Sequence, residues 1–468
     1  MKKKITYLLI SAMVAGVCST PINVYAANNR VNRINGSDRY GTSIEIGKKF
    51  VGDESVDAVI LASGKDYPDA LTGSILSKKY NAPIILVDYD PKVSMEQIAF
   101  IQSRLNPNGK VYLLGGEKNI NNNYINYLKQ IGYKNIERIG GADRYETNTK
   151  IVEKAEVKEG TPVIIASSKS FADALSMSPI SGAKQYPILL TEKDTLTSSA
   201  IKQIEKIKPK EVFIAGGVGA ISDEVQNEIK DIIANTKGNE VIRLSGKDRY
   251  ETSMEILNHF SKELKDESIF IASGKTFPDA LSGSALASKT ESPILLSNSQ
   301  TIVDSKPEID NYKSVNILGG KFSVEKFTEQ RLNNEESFLF YINSASKEDE
   351  KSYVAGNFEK FSTDIKEVDE YCKYYKIPTA IVNEKDGKSY ILDGGQDIPI
   401  STSTKVEVSD DVDISVIDWN KVGDGNVMAT KKITFDNLKN NQGFRGSNIF
   451  NIEFKDNKIV KITQEYRP

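Results

Sequence analysis

The chain writes one unit three times, and this repetition limits its architecture more than any other feature. The string RINGSDRYGTS begins at Arg33, RIGGADRYETN at Arg138 and RLSGKDRYETS at Arg243, with 105 residues between successive starts. Three further strings follow in the same order in every copy. ILASGKDYPDALTGS (Ile60–Ser74), IIASSKSFADALSMS (Ile164–Ser178) and FIASGKTFPDALSGS (Phe270–Ser284) come first. APIILV (Ala82–Val87), YPILLT (Tyr186–Thr191) and SPILLS (Ser292–Ser297) come next. VYLLGG (Val111–Gly116), VFIAGG (Val212–Gly217) and VNILGG (Val315–Gly320) close the series. Units this long are domains rather than solenoid turns of roughly 20–50 residues. The copies are assigned to residues 33–125, 138–230 and 243–332.

Short apolar runs such as Ala58–Leu61, Pro83–Val87 and Val111–Leu114 read as strands buried on both faces. Helical periods such as Ser94–Leu105 lie between them. Alternating strands and helices imply a parallel sheet with right-handed crossovers, so each unit is expected to be a small α/β domain. Each shared motif follows a strand or opens a helix. All of them therefore fall at the carboxyl edge of a sheet, where open α/β folds bind ligands. Asp38, Asp143 and Asp248 are expected to cap helices, with Glu146 and Glu251 completing capping boxes and Gly41 in that place in the first copy. Pro68 and Pro278 suit a first helical turn. Asp69, Asp173 and Asp279 read as helix-capping or inter-repeat structural residues. Arg39, Arg144 and Arg249 offer planar forks that match carboxylate or phosphate beside helix N-termini. The Gly-Gly pairs are expected for backbone reasons. Gly216-Gly217-Val218-Gly219 lacks the third glycine and the acid of a dinucleotide fingerprint.

At these motifs the chain resembles the cell-wall-binding type 2 repeats of clostridial and related Gram-positive surface and S-layer-associated proteins. The resemblance implies three repeats around a pseudo-threefold axis. It also implies a non-catalytic anchor that holds an anionic secondary wall polysaccharide noncovalently at the cell surface. Carried over by motif, the polymer-side residues are Arg39, Arg144 and Arg249, with Ser63, Ser167 and Ser273 on the adjacent loops. The second copy departs from the pattern at Ser168 and Ala172. Three linked sites turn weak single contacts into avidity of ~10²–10⁴.

Composition narrows the chemistry. One histidine (His259) and two cysteines (Cys18 and Cys372) rule out a multi-histidine zinc site or a cysteine cluster. His259, beside Phe260, reads as a surface or core residue. No cofactor and no metal is implied. A net charge of −3 is not the basic footprint of a nucleic-acid binder. Lys2–Lys4, the apolar run from Ile5 to about Val17 and Val24-Tyr25-Ala26 read as an export signal over residues 1–26. The run is short for a bilayer, so no membrane span is expected after cleavage, and Cys18 leaves with the signal. Without its three lysines the net charge becomes −3 − 3 = −6. The last 138 residues hold 19 Lys+Arg against 24 Asp+Glu, or −5, which leaves about −1 for the repeats.

From about Ser337 the repeat pattern stops. Residues 337–468 read as a β-rich barrel or sandwich, with an OB-like barrel among the forms considered. Phe338–Ile342 reads as a strand and Asn357–Tyr375 as partly helical. Hairpins are expected around Lys385-Asp386-Gly387 and Lys455-Asp456-Asn457-Lys458. Phe450, Ile452 and Phe454 should share one face. Lys405–Trp419 alternates, with an interruption at Ser409-Asp410-Asp411. Asp410-Asp411-Val412-Asp413 lacks the pattern of a calcium loop and reads as a solvated turn. Cys372, among tyrosines, reads as a buried thiol. This module is expected to meet other surface-layer proteins or host ligands. The alternative is a wall-anchored, carboxylate-based glycosidase with its catalysis here.

Overall fold

The structure is a computed structural model of the 468-residue chain. It describes residues 30–465 apart from 235–239, 266, 384–388, 392–395, 419, 421–428 and 441–447. The expected export signal with Cys18, and the turn Lys385-Asp386-Gly387, lie outside the described residues.

Three four-stranded sheets form, and every pairing within them is parallel. The first runs Ile84–Val87, Val56–Ser63, Leu105–Leu114, Asn135–Ile139. The second runs Ile188–Thr191, Val163–Ser167, Glu211–Ala215, Glu240–Leu244. Their central strands are inaccessible on both faces, as at Val59–Ala62 and Val163–Ala166. That burial explains the near-continuous apolar runs.

The last strand of each sheet belongs, by sequence, to the next repeat. Asn135–Ile139 opens the second copy yet pairs into the first sheet, and Glu240–Leu244 opens the third yet pairs into the second. The third sheet is completed by Val31–Ile34, from the start of the described chain, which pairs with Ser314–Leu318. The register is the same each time: Ile139 opposite Leu114, Leu244 opposite Ala215 and Ile34 opposite Leu318. The three repeats thus close into a ring.

On the inside of the ring, helices Ser74–Tyr80, Ala172–Lys184 and Pro278–Thr290 pack against one another about the pseudo-threefold axis. Ala172–Gly182 is buried along its whole length, as expected of a helix enclosed on all sides. The DALS strings supply the small residues that let the helices approach. A Cβ at Gly182 would overlap the Ser288 side chain, and Ser178 Oγ donates to the Leu71 carbonyl at 3.2 Å. Pro278 occupies the first helical position, as the sequence suggested. Pro68 does not: the chain runs through turns there, and the first axial helix begins only at Ser74.

The terminal module is a closed barrel of five strands: Ser337–Glu348, Lys351–Ser362, Thr404–Ile417, Ile449–Lys455 and Lys458–Gln464. Around the barrel they pair first–second–third–fifth–fourth–first, with only third and fifth parallel. This is the Greek-key order of an OB barrel. Phe450, Ile452 and Phe454 all point into its core. Asp456 and Asn457 take the left-handed conformations of a two-residue hairpin turn. Residues 357–362, read from sequence as part of a helix, continue the second strand, and the helix is Ile365–Tyr375. The acidic interruption is a register shift between Val408 and Asp413 inside one long strand.

The barrel and the third repeat share a core. The Phe327 ring stacks on Phe358 with centroids 3.6 Å apart and meets Phe338 edge-on. Val303 joins the same cluster, and the Phe327 N–H donates to the Ile400 carbonyl. Two outcomes are expected. A chain starting at Asn35 exposes the edge of Ser314–Leu318. It should melt on the order of 5–10 °C lower, with partial recovery when a peptide of residues 30–36 is added. An unchanged melt would show that the strand is dispensable. Phe327→Ala should lose about 3–5 kcal/mol in denaturant unfolding and let limited proteolysis release the barrel from the ring.

Candidate functional site

The DRY motifs open three helices at Arg39, Arg144 and Arg249. Each is capped as expected. Asp38 accepts from the N–H groups of Tyr40 and Gly41, Asp143 from Tyr145 and Glu146, and Asp248 from Tyr250 and Glu251. The reciprocal bonds reach one residue further back than in a standard capping box. Glu146 accepts from Ala142 N–H and Glu251 from Lys247 N–H.

The Gly-Gly pairs meet the DAL aspartates. Gly115, Gly216 and Gly319 have φ of +109°, +107° and +100°. A Cβ on Gly115 or Gly216 would stand 2.7 Å from Asp69 Oδ2 or Asp173 Oδ2. Conformation and space both demand glycine there. Asn119 donates to Asp69 at 2.7 Å and Ser323 to Asp279 at 2.5 Å. In the second repeat Ala220 stands in that place and has no side-chain donor. Burial pushes the Asp173 carboxyl up to about 6, and Arg249 of the third repeat opposes the shift. Burial also raises Asp279, against the pull of the Ser323 hydroxyl and of Arg39 and Arg33.

The arginines therefore reach around the ring. Each donates within its own repeat to the loop after the second strand: Arg39 to Gly64 O (2.7 Å), Arg144 to Ser168 O (2.5 Å) and Arg249 to Gly274 O (2.7 Å). Arg39 also lies 5.9 Å from the Phe277 ring centroid and Arg249 5.5 Å from that of Phe171. Phe171 and Phe277 form a triangle with Tyr67 at the axis, with centroids 5.4–6.1 Å apart. Arg39 and Arg249 remain exposed and Arg144 is half-buried. The sheet edges thus bring the three arginines to one side of the ring, around one axis.

Ser63, Ser167 and Ser273 stand differently. All three are buried, and their oxygens accept the N–H groups of Lys65, Lys169 and Lys275 at 3.1–3.2 Å. They shape the loop from below it. The loop instead presents those lysines, half to two-thirds exposed, beside Asp88, Glu192 and Glu325. Sequence reasoning passed over them, although a lysine holds the same place in SGK, SSK and SGK. His259 packs edge-on against Phe213 of the second repeat and against Phe260. Cys372 is a buried free thiol. Asp413 pairs with Lys432, and among the described residues no cluster of possible metal ligands forms.

A closed ring of α/β repeats that turns one charged edge to the same side three times is built as a binding scaffold. The chain belongs to the cell wall binding domain 2 (CWB2) family, whose profile matches residues 33–125, 138–226 and 243–329. It is similar to the N-acetylmuramoyl-L-alanine amidase LytC of Bacillus subtilis strain 168, at 27% identity over 311 residues. That match covers 66% of this chain and 59% of LytC. Among solved structures it is similar to Cwp6 from Clostridium difficile, with TM-score 0.55, 25% identity, and 62% of this chain and 45% of that one covered. Cwp8 from the same organism shares the fold, with TM-score 0.56, 24% identity, and 65% and 52% covered. The chain thus spans about half to three-fifths of these relatives' lengths.

The buried Asp173 carboxyl gives a pH signature. Asp173 binds its proton more tightly folded than unfolded, so its contribution is greatest below pH 4 and is lost as pH rises to about 6. Between those pH values, urea unfolding should show the unaltered chain losing about 3 kcal/mol of stability relative to Asp173→Asn, and Ala220→Ser losing less. An unchanged slope in Asp173→Asn would refute the assignment.

Proposed function

We propose that this is a non-catalytic surface protein of a Gram-positive cell, held on the wall by its three repeats, with the barrel as a displayed binding or structural module. Cell wall binding follows from the family match in all three repeats. The finer reading is that the repeats grip an anionic wall polysaccharide at the carboxyl edge around the axis. The observation that carries it is the convergence there of Arg39, Arg144 and Arg249, two of them exposed, with Lys65, Lys169 and Lys275 beside them. Six cations on a nearly neutral ring favour local recognition of spaced anionic groups over bulk attraction. LytC carries an amidase name, but its likeness to this chain lies in the repeats, so the hydrolase reading is set aside. Among the described residues no helix is long and apolar enough to cross a membrane.

Lysine keeps the charge of arginine but loses its fork. Replacing Arg39, Arg144 and Arg249 together by Lys should cut co-sedimentation with purified walls by about tenfold or more, while circular dichroism is unchanged. Full retention of binding would move the site elsewhere.

A further inference from the structure

We propose that the cleft between the first and third repeats is a glycan subsite completed by the terminal module, which the other two inter-repeat clefts do not reproduce. The proposal rests on the wall-anchoring reading above.

The cleft holds a cavity of about 680 Å³, within the roughly 300–1,000 Å³ of small-ligand sites. Cations Arg39, Lys321 and Lys326 stand there among carboxylates Asp279, Glu329 and Glu367. A lining of alternating donors and acceptors suits a hydroxyl-rich ring better than a bare polyanion, which the carboxylates would repel.

The repeats themselves show why this cleft differs. Arg33, Arg138 and Arg243 are equivalent. Arg138 Nη2 donates to Ile120 O and Asn122 Oδ1, and Arg243 Nη2 donates to Ser222 O. Arg33 Nη2 is buried with no partner among the described residues, although its Nε and Nη1 are bonded; in Arg138 the unpartnered nitrogen is Nε, on the other side of the guanidinium. Where the first two repeats place Asn122 and Asp223, the third places Lys326. An acceptor has been exchanged for a cation, and Arg33 Nη2 is left without the oxygen that its equivalents reach. Such oxygens are what a sugar supplies.

The terminal module adds the remaining wall. Its helix Ile365–Tyr375 brings Glu367 and Tyr371 to the cavity. Glu370 pairs with Lys321 at 2.8 Å, Tyr374 Oη donates to Phe322 O, and the Phe322 and Tyr374 rings stack at 4.5 Å. One such helix serves one cleft.

The test uses the full exported chain, walls stripped of protein, and soluble glycan fragments released from those walls by mild acid. A Cβ at Gly320 meets nothing within 4 Å, and those at Gly116 and Gly217 meet only atoms at 3.7 and 3.9 Å. Gly320→Phe should fill the cavity and lower fragment affinity in titration calorimetry by about tenfold, whereas Gly116→Phe and Gly217→Phe change it less than about twofold. Lys326→Asn, which restores an acceptor beside Arg33, should also weaken fragment binding and decides the matter if the bulky variant does not fold. Equal losses at all three glycines, or no loss in either cleft variant, would overturn this proposal while wall anchoring stands. Failure of the unaltered chain to sediment with walls would overturn the anchoring reading and this proposal with it.

Discussion

The ring depends on a strand given away. Every sheet is finished by the opening strand of the following repeat, and the third by residues that begin the described chain. A parallel strand cannot be supplied by a tight hairpin, so the exchange forces neighbouring repeats into contact over a whole crossover. It also joins Val31–Ile34 to Ser314–Leu318 across most of the ring's sequence. Such a closure is costly in chain entropy and late to form, but it leaves none of the three sheets with an open edge where the exchange occurs.

Closure explains why the motif residues come as a set. The exchanged strand ends at the DRY turn, so the arginine that follows it is carried to the border with the preceding repeat. Arg249 there acts on Asp173 and Arg39 on Asp279, and each DAL aspartate packs against the positive-φ glycine ending the adjoining strand. Arginine, aspartate and glycine from separate motifs therefore form one interface unit at the second–third and third–first junctions. The second repeat shows what a missing member does: with Ala220 in place of a donor, its aspartate becomes the one pushed up to about 6. The lysines of the same loop take no part in this unit. They pair instead with Asp88, Glu192 and Glu325 and stay half or more exposed.

Much of this was legible in the residues. The triplication, the strand–helix alternation, the three aspartate caps and the glycine positions follow from spacing and local chemistry. The ownership of the opening strand was not, because a repeat in a closed ring carries no mark of phase: Arg33–Ile34 reads the same whether it pairs forward or back. The burial of Ser63, Ser167 and Ser273 beneath the loop was not legible, because a motif gives position along the loop but not depth. Residues 357–362 have the spacing of a helix, yet the strands Ser337–Glu348 and Gln396–Pro399 beside them claim their backbone groups. Pro68 and Pro278 share a motif and differ in structure, which local preference cannot foresee.

A single barrel on a threefold ring must break the symmetry, and the way it does so is specific. OB barrels commonly present their second and third strands and the last hairpin turn to oligosaccharides or oligonucleotides. Here that face is laid against the third repeat. Gln300 exchanges hydrogen bonds with the backbone of Lys405 on the third strand, and Asn457 of the last turn donates to the Val303 carbonyl. With Phe327 in the barrel core, the module is a fixed extension of the ring rather than a passenger on a tether. Fold alone would assign the barrel's ligand to its usual face, but fold does not decide function. Packing instead commits that face to the third repeat and turns the helix Ile365–Tyr375 toward the cleft beside Arg33. The module thereby makes one junction of three chemically unlike the rest, and a ring of near-identical parts acquires a distinguishable end.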